Sequence, residues 1–216
     1  MEPFPLGPAA NQLWILASSS PRRRELLSRL GHPFRVIEPA IAESPRPGER
    51  PADFARRAAT EKAAAAARLP PQRGGAPRTI IGCDTVVALA DRIFGKPRTA
   101  AEARRMLRAL SGRRHRVISG LCVLRERASG SWRRQTRTVS TEVIFRRLFP
   151  GEIVAYVATG EPMDKAGAYA IQGGAAAMVV AIHGSYTNVV GLPLAELVEM
   201  LRQQGPSGSL VKIDRP

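Results

Sequence analysis

Leu13-Trp14-Ile15-Leu16-Ala17-Ser18-Ser19-Ser20-Pro21-Arg22-Arg23 changes character at Ser18, and the change decides how the chain starts to fold. Five apolar residues, Trp and Ile among them, read as a buried strand. Ser20 then offers a side-chain oxygen to cap a helix, and Pro21 suits the first helical position, where no N–H is needed. Leu26, Leu27 and Leu30 mark that helix's apolar face, and Gly31 stops it. A strand running straight into a capped helix is the opening of an α/β fold.

Outward from this corner the pattern repeats. Phe34 to Ile37 reads as a second short strand, and Pro51 opens an Ala-rich helix to about Arg68. Thr79 to Leu89 reads as a strand that turns at Ala90-Asp91 into a short partner at Ile93-Phe94. Thr99 caps a helix to Leu110 with Ala103, Met106, Leu107 and Leu110 inward. Arg116 to Arg125 and Trp132 to Phe145 predict a long hairpin around Ala128-Ser129-Gly130-Ser131, its arginines on the wet face. Pro150 to Thr159 reads as a helix, Ala176 to Ile182 as a strand, and Leu192 to Gln203 as a closing amphipathic helix. Helices mixed with a long hairpin call for an α/β fold on a mixed sheet, not a purely parallel one. Residues 13–204 are expected to form one unit, with 1–12 and 205–216 as loose tails.

The composition sets bounds. The chain has 216 residues, 44% of them hydrophobic, enough for one sizeable core. Arg supplies 29 of 33 cations against 18 acids, and the net charge of +15 favours polyanionic partners. An Ala-, Arg-, Pro- and Gly-rich chain is equally what compositional drift produces, so charge alone names no partner. No nucleic-acid module is recognisable, and 5% aromatics leave little for base stacking, which argues against a nucleic-acid partner. Cys83 and Cys122 lie in apolar, strand-like segments and are expected to be buried free thiols; no zinc spacing occurs. No apolar run has transmembrane length and no signal peptide is evident, so a cytoplasmic protein without membrane attachment is expected.

Several residues invite chemistry. At Ser18-Ser19-Ser20-Pro21-Arg22-Arg23, free N–H groups, hydroxyls and two guanidiniums converge at the positive end of a helix dipole. The same residues also make an ordinary Ser-Pro cap followed by solvated arginines. Asp84 interrupts an apolar strand, and a buried carboxylate must be paired, metal-bound or turned to a cleft. Lys62 and Lys96 are retained lysines in an arginine-rich chain, compact charges suited to phosphate. Asp164, Lys165 and Gln172 supply polar groups in a glycine-rich stretch, which could also be no more than a turn-rich loop.

Taken in order, these blocks resemble the Maf (septum-formation) family from Leu13 to about Leu201. They are Leu-Ala-Ser-Ser-Ser-Pro-Arg-Arg at 16–23, Glu61-Lys62-Ala63, Asp84-Thr85-Val86-Val87, Gly95-Lys96-Pro97 and Leu110-Ser111-Gly112. They continue with Gly160-Glu161-Pro162-Met163-Asp164-Lys165-Ala166-Gly167-Ala168-Tyr169, Ile171-Gln172-Gly173 and Gly184-Ser185-Tyr186-Thr187-Asn188-Val189-Val190-Gly191-Leu192-Pro193. Cys83, where Ala is usual, is a small departure. The resemblance implies a two-lobed, inosine-triphosphatase-like fold with a long curved mixed sheet and a deep central cleft, often in a homodimer. It implies hydrolysis of a nucleoside triphosphate to monophosphate and pyrophosphate with Mg²⁺ or Mn²⁺.

By position, Asp84 matches the family's proton acceptor and a metal ligand, with Glu43 as a possible metal partner. Ser18, Ser20, Arg22, Arg23, Lys62, Lys96 and Lys165 become the substrate-binding set. Arg22, Thr85 and Gln172 fall at the specificity positions of the dTTP/UTP branch; the 7-methyl-GTP branch tends to carry Trp, Gln and Glu there. A Gln amide offers one acceptor and one donor to a pyrimidine edge. A 7-methyl-GTP pyrophosphatase and a nucleotide-binding regulator of septum formation remain the alternatives.

Overall fold

The computed structural model describes residues 4–6, 12–41, 44–70, 76–203 and 209–211. The predicted first corner forms as β1 (Leu13–Ala17) and α1 (Pro21–Ser28), followed by β2 (Phe34–Ile37) and α2 (Pro51–Ala67). Next come β3 (Arg78–Leu89), β4 (Arg92–Phe94), α3 (Ala100–Leu110) and the hairpin of β5 (Arg114–Glu126) with β6 (Trp132–Phe145). After α4 (Pro150–Ala158) the chain passes through 3-10 turns at Glu161–Asp164, Ala166–Ala168 and Gly174–Met178. It finishes with β7 (Val179–His183), α5 (Tyr186–Val190), α6 (Leu194–Arg202) and β8 (Ser209–Val211).

The strands form one mixed sheet in the order β2-β1-β3-β5-β6-β7, with β4 on β3 and β8 on β6. β1 pairs parallel with β2 and β3, whereas the β3–β5, β5–β6 and β6–β7 pairs are antiparallel. One apolar cluster joins Trp14, Leu16, Leu26, Leu27, Leu121 and Leu197 on one face of the sheet, under α1 and α6. A second, with Val87, Phe94, Leu107, Phe145 and Tyr169, gathers α3, α4 and the 3-10 turns beside the far ends of β3 and β5. We refer to these two clusters as the first and second lobes; β3 and β5 contribute to both.

α2 is seated unusually close to the sheet. A Cβ on Gly82 would stand 2.2 Å from the Ala59 carbonyl oxygen, and one on Gly120 the same distance from that of Ala55. Both glycines share the face that α2 covers, since Gly82 pairs with Cys122 and Gly120 with Asp84 across the β3–β5 ladder. The alanines at 55, 58, 59, 63, 66 and 67 are fully buried there, so the Ala-rich composition is the condition for close approach.

Three expectations need correction. The strand expected from Ala176 begins only at Val179: residues 174–178 wind into a 3-10 turn that buries Ala175 and Met178, and the small alanines lack the branching that favours a strand. The closing helix begins at Leu194, because Tyr186–Val190 forms its own short helix and Gly191 to Pro193 turn the chain. The tails are not wholly loose. Leu6 is 1% exposed, the Phe4 N–H donates to the Leu30 carbonyl at 2.9 Å, and Ser209–Val211 pairs antiparallel with β6.

Gly120→Ala would drive a methyl group into the α2 backbone. The expected loss is about 1–3 kcal/mol of unfolding free energy, read from a urea midpoint. An unchanged midpoint would show that α2 can ride outward freely.

Candidate active site

The parallel register of β1 on β3 sets Ala17 beside Gly82. The next residues of each strand, Ser18 and Cys83-Asp84, therefore emerge together at the carboxyl end of β1, where open α/β sheets hold ligands. Ser18 is buried, and its Oγ accepts from the Ser20 N–H at 3.2 Å. Ser20 caps α1 as expected, accepting from the Arg23 N–H at 3.5 Å.

Arg22 and Arg23 take different positions. Arg23 is 8% exposed; its Nε donates to the Gly191 carbonyl at 2.8 Å, Nη1 to Ser18 Oγ at 3.1 Å and Nη2 to Thr85 Oγ1 at 3.0 Å. It thus ties α1, β3 and the turn after α5 together. Arg22 is half-buried on the cleft wall. Burial holds its guanidinium below the ordinary value, and Asp164 opposes that shift.

Asp84 is buried on the α2 side of β3. Lys62 Nζ donates to its Oδ1 at 2.6 Å, with both side chains under a tenth exposed. Such a pair is stable only while both charges are present: removing one partner typically costs about 3–5 kcal/mol. Thr85, next along the strand, faces the other way, and its hydroxyl meets Ser119 Oγ at 2.8 Å as well as Arg23.

From the second lobe, Lys96 is exposed on the cleft wall just after β4. Lys165 is ion-paired with its neighbour Asp164, and Gln172 is exposed on the same wall. Ser18, Ser20, Arg22, Arg23, Lys62, Asp84, Thr85, Lys96, Lys165 and Gln172 therefore all line one cleft of about 1020 Å³. Glu43 lies outside the described residues. Among the described residues no group of three or more His, Cys, Asp and Glu side chains is placed to hold a metal ion.

Other contributors were not singled out by sequence. Ser119 meets Thr85 across the β3–β5 ladder. Asn188 is fully buried, and its Nδ2 donates to the Val117 carbonyl at 3.0 Å and to Thr141 Oγ1 at 2.9 Å, fixing α5 against the hairpin. Arg57 clasps Glu49 with two bonds of 2.7 Å and reaches the Ser44 carbonyl at 3.0 Å, shaping the loop that walls the cleft below α2. Cys83 and Cys122 are free and buried, as expected, and burial pushes the Cys122 thiol up to about 12. No helix among the described residues is long and apolar enough to cross a membrane.

Fold and cleft together define a class: an α/β protein whose sheet carries a lysine-paired carboxylate beside a serine- and arginine-bearing strand–helix corner. Within that class the chain belongs to the Maf-like protein family, whose pattern it matches over residues 13–204. It is 54% identical over 191 residues to the dTTP/UTP pyrophosphatase of Geobacter sulfurreducens, spanning 88% of this chain and 96% of that protein. It is 49% identical over 199 residues to the dTTP/UTP pyrophosphatase of Citrifermentans bemidjiense, spanning 92% and 99%. The same named enzyme of Anaeromyxobacter dehalogenans is 50% identical over 191 residues, spanning 88% of this chain and 93% of that protein.

The Glu49–Arg57 clasp has a pH signature. Hydrogen bonds from Arg57, with a further one from the Arg46 N–H, hold Glu49 at about 2, below the ordinary 4.5, against the opposing effect of burial. The folded state thus favours the ionised carboxylate, so its stabilisation is complete above about pH 4.5 and is lost as pH falls through about 2. Wild type is expected to exceed Glu49→Gln in urea midpoint at neutral pH, with the gap closing on acidification. A gap that stays constant with pH would assign the stabilisation to packing.

Proposed function

We propose that the chain is a nucleoside triphosphate pyrophosphatase acting on dTTP and UTP. The observation that carries this is the placement of the Lys62-held Asp84 in a cleft whose walls present Arg22, Thr85 and Gln172. The names of the relatives support the same substrates.

In this reading Asp84 takes a proton from water as the water oxygen attacks the α-phosphorus. The bond from that phosphorus to the oxygen bridging the α- and β-phosphates breaks, releasing pyrophosphate and leaving the monophosphate. Lys62 holds the carboxylate in place by its hydrogen bond to Oδ1, and a general base has to be positioned in this way. Ser18, Ser20, Arg22, Lys96 and Lys165 bind phosphate oxygens around the cleft. Arg23 acts mainly as the strut that positions Ser18 and Thr85, with guanidinium hydrogens to spare for phosphate. Thr85 and Gln172, with Arg22, select the base.

A divalent cation, Mg²⁺ or Mn²⁺, would neutralise phosphate charge and polarise the phosphoryl group when bound. Among the described residues Asp84 is the buried carboxylate of the cleft, and it would hold such an ion. Glu43 is the second ligand in this reading. The homodimer and the cytoplasmic setting belong to the same reading and rest on the family resemblance.

A nucleotide panel with product identification is expected to show dTTP and UTP turned over to monophosphate and pyrophosphate. Preference for 7-methyl-GTP, or release of orthophosphate, would overturn the assignment. Asp84→Asn is expected to lower kcat by about a hundred- to ten-thousand-fold while nucleotide binding, read by calorimetry, persists. Undiminished turnover would remove Asp84 from proton transfer.

A further inference from the structure

Glu161 does not line the cleft, yet both oxygens of its carboxylate are hydrogen-bonded. It opens the 3-10 turn after α4, and its own N–H donates to Thr159 Oγ1 at 3.2 Å. Its Oε1 accepts from the Tyr156 hydroxyl at 2.7 Å, and its Oε2 accepts from the Gly174 N–H at 3.1 Å. The Tyr156 oxygen in turn accepts from the Ala170 N–H at 3.1 Å. Burial, reinforced by the bond to Glu161, holds the Tyr156 phenol above its ordinary value, so it stays a donor.

Both ends of the segment 170–174 are thereby fastened to one carboxylate–phenol pair. The fit is close: a Cβ on residue 173 would lie 2.3 Å from Glu161 Oε1, so Gly173 admits no side chain while Glu161 keeps its place. Gln172 is the exposed side chain in the middle of that segment, on the cleft wall. The Glu161 charge is also felt by Arg22, on the other lobe.

We infer that Glu161 and Tyr156 are positioning residues for base selection, which hold the Gln172 segment in its binding conformation before a nucleotide arrives. The inference rests on the assignment of Gln172 to base recognition given above. Neither residue touches substrate; they act by removing the ordering cost that binding would otherwise bear. Loss of the pair weakens recognition of the base and leaves the hydrolytic step, centred on Asp84 and Lys62, largely alone. Two residues that merely stabilised the lobe would lower active protein without changing which nucleotide is preferred.

The test is a double-mutant cycle on the full chain, with kcat and KM measured for dTTP, UTP and CTP. Glu161→Ala is expected to raise KM for dTTP about tenfold with kcat within about twofold, and to narrow the preference for dTTP over CTP. Glu161→Gln keeps one carbonyl acceptor and is expected to recover part of the loss. Tyr156→Phe removes a single oxygen and gives the same direction if Glu161→Ala fails to fold. In a Gln172→Ala background, Glu161→Ala or Tyr156→Phe is expected to change the preference no further. Additive effects on preference, or a loss confined to kcat, would overturn the inference. If wild type prefers some other nucleotide, the substrate assignment fails, and the same cycle on that nucleotide still decides whether Glu161 acts through Gln172.

Discussion

The contact on which the rest depends is the close approach of α2 to β3 and β5 over Gly82 and Gly120. A helix normally stands off a sheet by the length of intervening side chains. Here bare backbone meets bare backbone, and buried alanines fill what space is left. The consequence is chemical as well as mechanical. With the helix this low, the Lys62 stem delivers its ammonium to Asp84 at 2.6 Å, two residues along β3 from Gly82. A helix held higher would leave a buried carboxylate short of its cation, an arrangement that costs several kcal/mol.

β3 then divides its duties by the period of a strand. Gly82 and Asp84 face α2, while Cys83 and Thr85 face the opposite side, where both meet the Gly191 carbonyl. Successive residues therefore serve the carboxylate and the Arg23 strut without competing for space. The parallel partner β1 brings the Ser18–Ser20 corner to the same level, and the antiparallel partner β5 supplies Gly120 opposite Asp84 and Ser119 opposite Thr85. One strand with two neighbours thus fixes the centre of the cleft, and the second lobe adds its wall through Lys96, Lys165 and Gln172.

Most of this was legible where the physics is local. The Ser20 cap, the Pro51 start of α2 and the β5–β6 hairpin follow from residue types that permit few conformations. What was not legible depends on partners distant in sequence. Nothing in Arg116 to Phe145 announces that Ser119 meets Thr85, and nothing in Ala176-Ala177 says that Met178 will be drawn into the second lobe's core. The docking of Leu6 into the first lobe, on a chain segment that reads as polar tail, was hidden for the same reason. Glycine was informative only in part: its occurrence in Gly82-Cys83-Asp84 is visible, but the helix pressing on it is not.

The two adjacent arginines show why net charge said so little. Successive residues on a helix project about 100° apart, so Arg22 and Arg23 take different partners although both reach the cleft. Arg23 spends its fork on a carbonyl and two hydroxyls, a three-point tie that the single ammonium of a lysine could not reproduce in plane. Arg22 keeps its charge for the cleft. Many other arginines are bound up in ion pairs with surface acids or in bonds to carbonyls, as Arg125 is at the C-terminal end of α6. The +15 field can speed the approach of a polyphosphate. In the proposed function, capture rests instead on the few cations that the sheet register and the low seat of α2 leave facing the cleft.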